Sequence, residues 1–128
     1  MKAAVLTSFQ APLEIKQVPI PIPNDDEVLV KLIACGVCHS DLHLAHGDWD
    51  LKPPLPRILG HEGVGEVVKL GKNVNDNYEI KLGDIIGVPW IRSTCSHCEY
   101  CCTSRETLCA KQLNSGFSVE GCFAEYAM

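Results

Sequence analysis

The sequence lacks an apolar run of the about 20 residues that a membrane-spanning helix needs. Its first residues, Met1 to Thr7, turn polar too early for the apolar core of about 7 to 15 residues that marks a secretory signal. These absences argue against a membrane partner and set cytoplasmic residence as the expectation. Positive charge is also scarce, with 11 Lys and Arg against 16 Asp and Glu, a net charge of -5. Without a basic field to collect phosphates, nucleic acid is not an expected partner. The eight cysteines fall short of the about 8 to 10% that marks a disulfide scaffold, so in a reducing compartment they are expected as thiols or metal ligands. A dinucleotide-binding fingerprint is missing too. Gly63-Val64-Gly65 opens a G-x-G-x-x-G pattern, but its sixth position is Val68 and the segment leads into a strand. There is no internal repeat and no low-complexity segment. At 128 residues the chain suits one domain with a core of its own.

What the chain does contain is mostly strand signal. Edge strands are expected near Ala3 to Leu6 and Leu13 to Val18, among Pro12, Pro19, Pro21 and Pro23. Glu27 to Ala34, Val64 to Leu70, Asp84 to Val88 and Phe123 to Ala127 read as further strands, with turns at Asn24-Asp25-Asp26 and Asn75-Asp76-Asn77. Ser40 to His46 reads as a short helix, with Ser40 as N-cap, Leu42 and Ala45 on one face and Gly47 at its end. Residues 48–57 read as a loop, and from Ile91 to Gln112 periodicity disappears.

In that aperiodic stretch Cys95, Cys98, Cys101 and Cys109 stand as C-x-x-C-x-x-C-x(7)-C. Two-residue gaps let thiolates converge, and four sulfurs complete the closed tetrahedron of a structural zinc. An iron-sulfur cluster fits less well, because the fourth gap is long and Ala110 follows Cys109. Cys102 and His97 read as non-ligands. Two other segments present metal-capable side chains at the ends of expected strands: Cys38-His39-Ser40-Asp41-Leu42-His43 and Gly60-His61-Glu62. Taken alone, Cys38 and His61 could equally be a core thiol and a hydrogen-bonded imidazole. Trp49 and Trp90 could be ordinary core aromatics.

These segments, with Gly65, Gly71, Val74, Leu82-Gly83-Asp84 and the cysteine lobe, resemble a zinc-containing alcohol dehydrogenase of the medium-chain superfamily. The resemblance implies a mostly β (α+β) fold over residues 1–128, a GroES-like partly open β-barrel with a structural-zinc lobe at about 91–112 and no Rossmann domain. It implies Cys38 and His61 as ligands of a catalytic zinc and Glu62 beside the metal, able to replace its water. It implies Ser40 as the hydroxyl that takes the alcohol proton, His43 as the relay that passes it to solvent and Asp41 as the carboxylate orienting His61. His39 falls at a position associated with the cofactor pyrophosphate, and Trp49 and Trp90 would wall a narrow pocket for a small alcohol or aldehyde. The family's hydride acceptor is NAD or NADP, whose site, like the third catalytic cysteine, is expected beyond Met128, so the chain resembles an amino-terminal fragment of a protein that is a homo-oligomer at full length. Cys122 does not fall where that third ligand does.

Two other classes compete. A non-catalytic zinc module would account for the cysteine lobe alone, and a GroES-like structural domain for the strands alone. Neither accounts for Cys38, His61 and the lobe together. A zinc metalloprotease helix and a zinc deaminase both fail on the spacing around His61-Glu62.

Overall fold

The computed structural model describes residues 1–74 and 79–128, so the turn expected at Asn75-Asp76-Asn77 lies outside the described residues. β1 (Lys2–Leu6), β2 (Glu14–Gln17), β3 (Val28–Cys35), α1 (His39–His46), β4 (Arg57–Ile58), β5 (Gly63–Leu70), β6 (Ile85–Val88), β7 (Ile91–Ser93), β8 (Leu113–Asn114) and β9 (Tyr126–Ala127) follow in order. No helix among the described residues is long and apolar enough to cross a membrane.

All paired strands are antiparallel, in sheets ordered β2-β1-β4, β6-β5-β3-β9 and β7-β8. The first two sheets are joined through the segment before β9, where Ala3 bridges Ala124 and the Ala4 N–H donates to Phe123 O at 2.8 Å. β1 is therefore not an edge strand, as its prolines' neighbourhood suggested. β2 and β4 flank it, and it contributes the buried Ala3, Val5 and Leu6. β4 lies in the stretch expected as loop, after Pro53, Pro54 and Pro56; its two residues are too few to carry a period.

β3 and β5 form the longest ladder, from Val28 opposite Leu70 to Cys35 opposite Gly63. Gly65 allows the strands their close approach. A Cβ there would sit 2.6 Å from Val30 Cγ1 and nearer still to the Lys31 carbonyl. β-branched residues fill the inner face, with Val30 and Val67 buried. The register matters for the site, because it sets the carboxyl end of β3 beside the amino end of β5.

α1 starts at His39, with Cys38 and not Ser40 as its N-cap, and the Cys38 N–H donates to Asp41 Oδ2 at 2.9 Å. Gly47 ends it in the left-handed conformation, φ 72°, which glycine adopts without a Cβ penalty. The helix buries Asp41 and Leu44, while Leu42 is 48% exposed, so the buried face is turned from the expected one. Leu44 joins Leu6 and Leu59 in a core cluster against which Phe9, Trp49, Trp90, Phe117 and Phe123 pack.

Candidate metal centres

β7 and β8 close a short ladder in which Ser93 opposes Leu113. The chain between them carries the cysteine lobe on two single-turn 3-10 helices, Cys101–Thr103 and Glu106–Leu108. The ligand atoms of Cys95, Cys98, Cys101 and Cys109 all lie within 4.8 Å of one another. Cys95 Sγ is 3.8 Å and Cys98 Sγ 3.5 Å from Cys101 Sγ. Zn–S bonds of about 2.3 Å in a tetrahedron put sulfurs about 3.8 Å apart, so this donor set fits zinc. The thiols are not equivalent. Backbone N–H groups of His97 and Cys98 aimed at Cys95 bring its thiol down to about 6; at Cys98 the Cys101 N–H pulls the thiol down, but burial and the hydrogen bonds with the Cys101 and Cys95 sulfurs outweigh it and raise it to about 11. Cys102 is exposed and outside the cluster, and His97 Nδ1 faces Cys95 O at 2.6 Å.

The second centre follows from the β3–β5 register. Cys38 comes three residues after Cys35, and His61 two residues before Gly63, so the two meet above the ladder's end. Ligand atoms of Cys38, His61 and Glu62 lie within 4.8 Å of one another. Gly36 makes the space: a Cβ there would strike the Glu62 carboxylate, and its N–H donates to Glu62 O at 3.0 Å. A thiol, an imidazole and a carboxylate form a mixed donor set that suits zinc and leaves coordination positions to other groups.

Asp41 ties the two ligand loops together. Its Oδ2 accepts from the Cys38 N–H and its Oδ1 accepts from the Gly60 N–H at 3.1 Å. Oδ1 also lies 3.3 Å from His61 Nδ1, too oblique for a full hydrogen bond, and Nδ1 has no other partner among the described residues. A buried imidazole turned this way presents Nε2 to a metal. Trp90 packs edge-on to His61 with centroids 5.1 Å apart.

Of the other residues singled out in the sequence, His43 Nδ1 contacts Asp48 Oδ2 at 2.9 Å, and His39 stacks edge-on against His43 at 4.6 Å. Ser40 is half-buried on α1 one turn before His43. Trp49 and Trp90 meet at 6.3 Å and both contact Phe117, at 6.2 and 6.0 Å. Phe117 was not anticipated, since nothing in Asn114-Ser115-Gly116-Phe117-Ser118 has a period or a motif; only the returning β8 brings it there. A cavity of about 850 Å³ beside Arg57, Arg92 and Met128 is lined by neither tryptophan and by none of the ligand residues of the two centres.

The family model of the alcohol dehydrogenase GroES-like domain matches residues 24–128. The chain belongs to this family. An alcohol dehydrogenase of Geobacillus stearothermophilus is 59% identical over 126 residues, 98% of this chain and 36% of that protein. The chain thus spans little more than a third of the length of the curated relatives it matches. Among solved structures, a cobalt- and zinc-bound thermostable alcohol dehydrogenase from Pyrobaculum aerophilum matches with TM-score 0.88 and 30% identity over 99% of this chain and 38% of that one. An NAD-dependent alcohol dehydrogenase matches with TM-score 0.87 and 32% identity over 99% of this chain and 36% of that one. The mostly β, GroES-like architecture that the resemblance implies is the one found.

Proposed function

We propose that this chain, a single GroES-like domain with a zinc lobe at about 91–112, supplies the metal-binding part of a zinc-dependent alcohol dehydrogenase reaction. The convergence of Cys38, His61 and Glu62 at one point carries this reading. The names of the similar proteins support it, since they are alcohol dehydrogenases, one bound to zinc and one NAD-dependent. Zinc there would act as a Lewis acid toward the oxygen of a small alcohol or its aldehyde.

The chain's own residues then position and move the proton. Asp41 fixes the loops of Cys38 and Gly60, and so the ring of His61. The Ser40 hydroxyl can accept the alcohol proton, and His43, with Nδ1 engaged by Asp48, keeps Nε2 free to pass it outward. Trp49 and Trp90 narrow the space for the alcohol beside His61. His39 would face the pyrophosphate of NAD or NADP as hydride acceptor, and the full-length enzyme would be a cytoplasmic homo-oligomer.

Elemental analysis of zinc per chain, before and after mild chelation and with Cys38→Ser as control, tests the reading. Two zincs, of which the labile one is missing from Cys38→Ser, are expected. One chelator-resistant zinc in both proteins would leave only the lobe and sink the catalytic assignment.

A further inference from the structure

A second pair of cysteines lies beneath the Cys38–His61–Glu62 centre and belongs to neither metal cluster. Cys35 ends β3 and is paired across the ladder with Gly63. Gly63 has no side chain, and the sulfur of Cys122 fills the vacancy: an ideal Cβ at position 63 would lie 2.6 Å from Cys122 Sγ and 3.0 Å from Cys122 Cβ. Cys122 therefore occupies the place of a cross-strand side-chain partner of Cys35, where directly opposed Cβ atoms are about 4.5 to 5.5 Å apart. The two side chains pack in one core cluster with Val30, Val88 and Ala127, and the Cys35 thiol donates to Gly36 O at 3.3 Å. The Cys122 N–H donates to Gly60 O at 3.0 Å, so its backbone is already held to the loop that carries His61.

We propose that Cys35 and Cys122 are an oxidisable dithiol, which a hydroperoxide converts to a disulfide joining the end of β3 to the segment behind Gly60–Gly63. Half-buried Cys35 meets the oxidant first, because Cys122 is only 2% exposed. The Cys35 sulfur attacks the terminal peroxide oxygen, the O–O bond breaks, the leaving oxygen takes the Cys35 proton and departs as water, or as the alcohol of an alkyl hydroperoxide, and a sulfenic acid remains. The Cys122 sulfur then attacks the Cys35 sulfur, the S–O bond breaks, and the Cys122 proton leaves with the hydroxyl as water. Two thiols are oxidised by two electrons, and one hydroperoxide is reduced. Cys35 is half-buried and Cys122 buried, so the oxidant reaches the pair only slowly. The product ties down both loops that present the metal-capable side chains.

Trypsin cutting after Lys31, Arg57 and Lys111 leaves Cys35 in the peptide 32–57 and Cys122 in the peptide 112–128. The zinc-loaded protein is exposed to excess hydrogen peroxide, its remaining thiols are blocked, and the digest is read by mass spectrometry without reduction. The expected result is one linked species of these two peptides, lighter than their sum by two hydrogens, with fragmentation placing the bond at Cys35 and not Cys38. It disappears on reduction, and in Cys35→Ser. Unlinked peptides carrying higher oxides at Cys35, or a bond placed at Cys38, would overturn the proposal. The wild-type digest decides this even if Cys122→Ala, the complementary control, does not fold.

Discussion

At the scale of the residue, Asp41 is the side chain on which most converges. One carboxylate accepts from the N–H groups of Cys38 and Gly60 and stands against His61. Asparagine has the same shape but only one acceptor oxygen, so it must turn its amide NH2 toward one of two N–H donors. Asp41→Asn is therefore expected to weaken zinc at the Cys38 centre by about 10- to 100-fold, the range seen when partners behind a ligand are lost. Chelator competition measures this, with the lobe zinc as internal reference. Equal losses at both centres would mean that Asp41 holds the fold and not the site. The position of Asp41 three residues after Cys38 was legible in the sequence. Its bond to Gly60 was not, because 19 residues separate the partners and no local pattern encodes the contact. The four lobe cysteines could be grouped from spacing alone, since their gaps are short and the geometry of metal coordination is local. Phe117 and the Cys35–Cys122 contact depend on strand register, which single residues do not announce.

At the scale of the element, α1 has only eight residues, too few to be stable alone, and depends on what it buries. Its anchor is Leu44, 1% exposed between Leu6 and Leu59. Leu44→Ala removes that anchor and leaves a cavity, which is expected to destabilise the protein by about 2 to 5 kcal/mol. Urea unfolding would show the lowered midpoint, and a change below about 1 kcal/mol would mean that the helix is held by Asp41 instead. The strands of the long ladder were readable because β-branched residues repeat along them with small flanking residues. The helix face was misread, since a single turn with both Leu42 and Leu44 offers two apolar directions and only the position of β1 selects one. β4, β7 and β8 have two or three residues each and exist because a neighbour supplies their hydrogen bonds, so nothing in their own composition could mark them.

At the scale of the whole molecule, ion pairs link parts far apart in sequence. Arg92 of β7 donates to Glu27 Oε1 at 2.7 Å, fastening the base of the lobe to the start of β3. Partial burial raises the Glu27 carboxyl, but the Asn24 N–H and Arg92 outweigh it and leave the carboxyl below its ordinary value. A depressed carboxyl contributes stability above its unfolded value, and that contribution is lost as pH falls through the folded one. Thermal melts should therefore show the wild type losing stability on acidification through the carboxylate range, with a shallower fall in Glu27→Gln. Parallel pH profiles would show that the pair is too solvated to matter.

The β7–β8 ladder also has a consequence for how this architecture can vary. Ser93 and Leu113 face each other across it, so the chain departs for the cysteine lobe and returns at neighbouring points. Whatever lies between them is, in topological terms, an appendix on a finished hairpin: it can lengthen, shorten or be exchanged for a tight turn without rethreading any other strand.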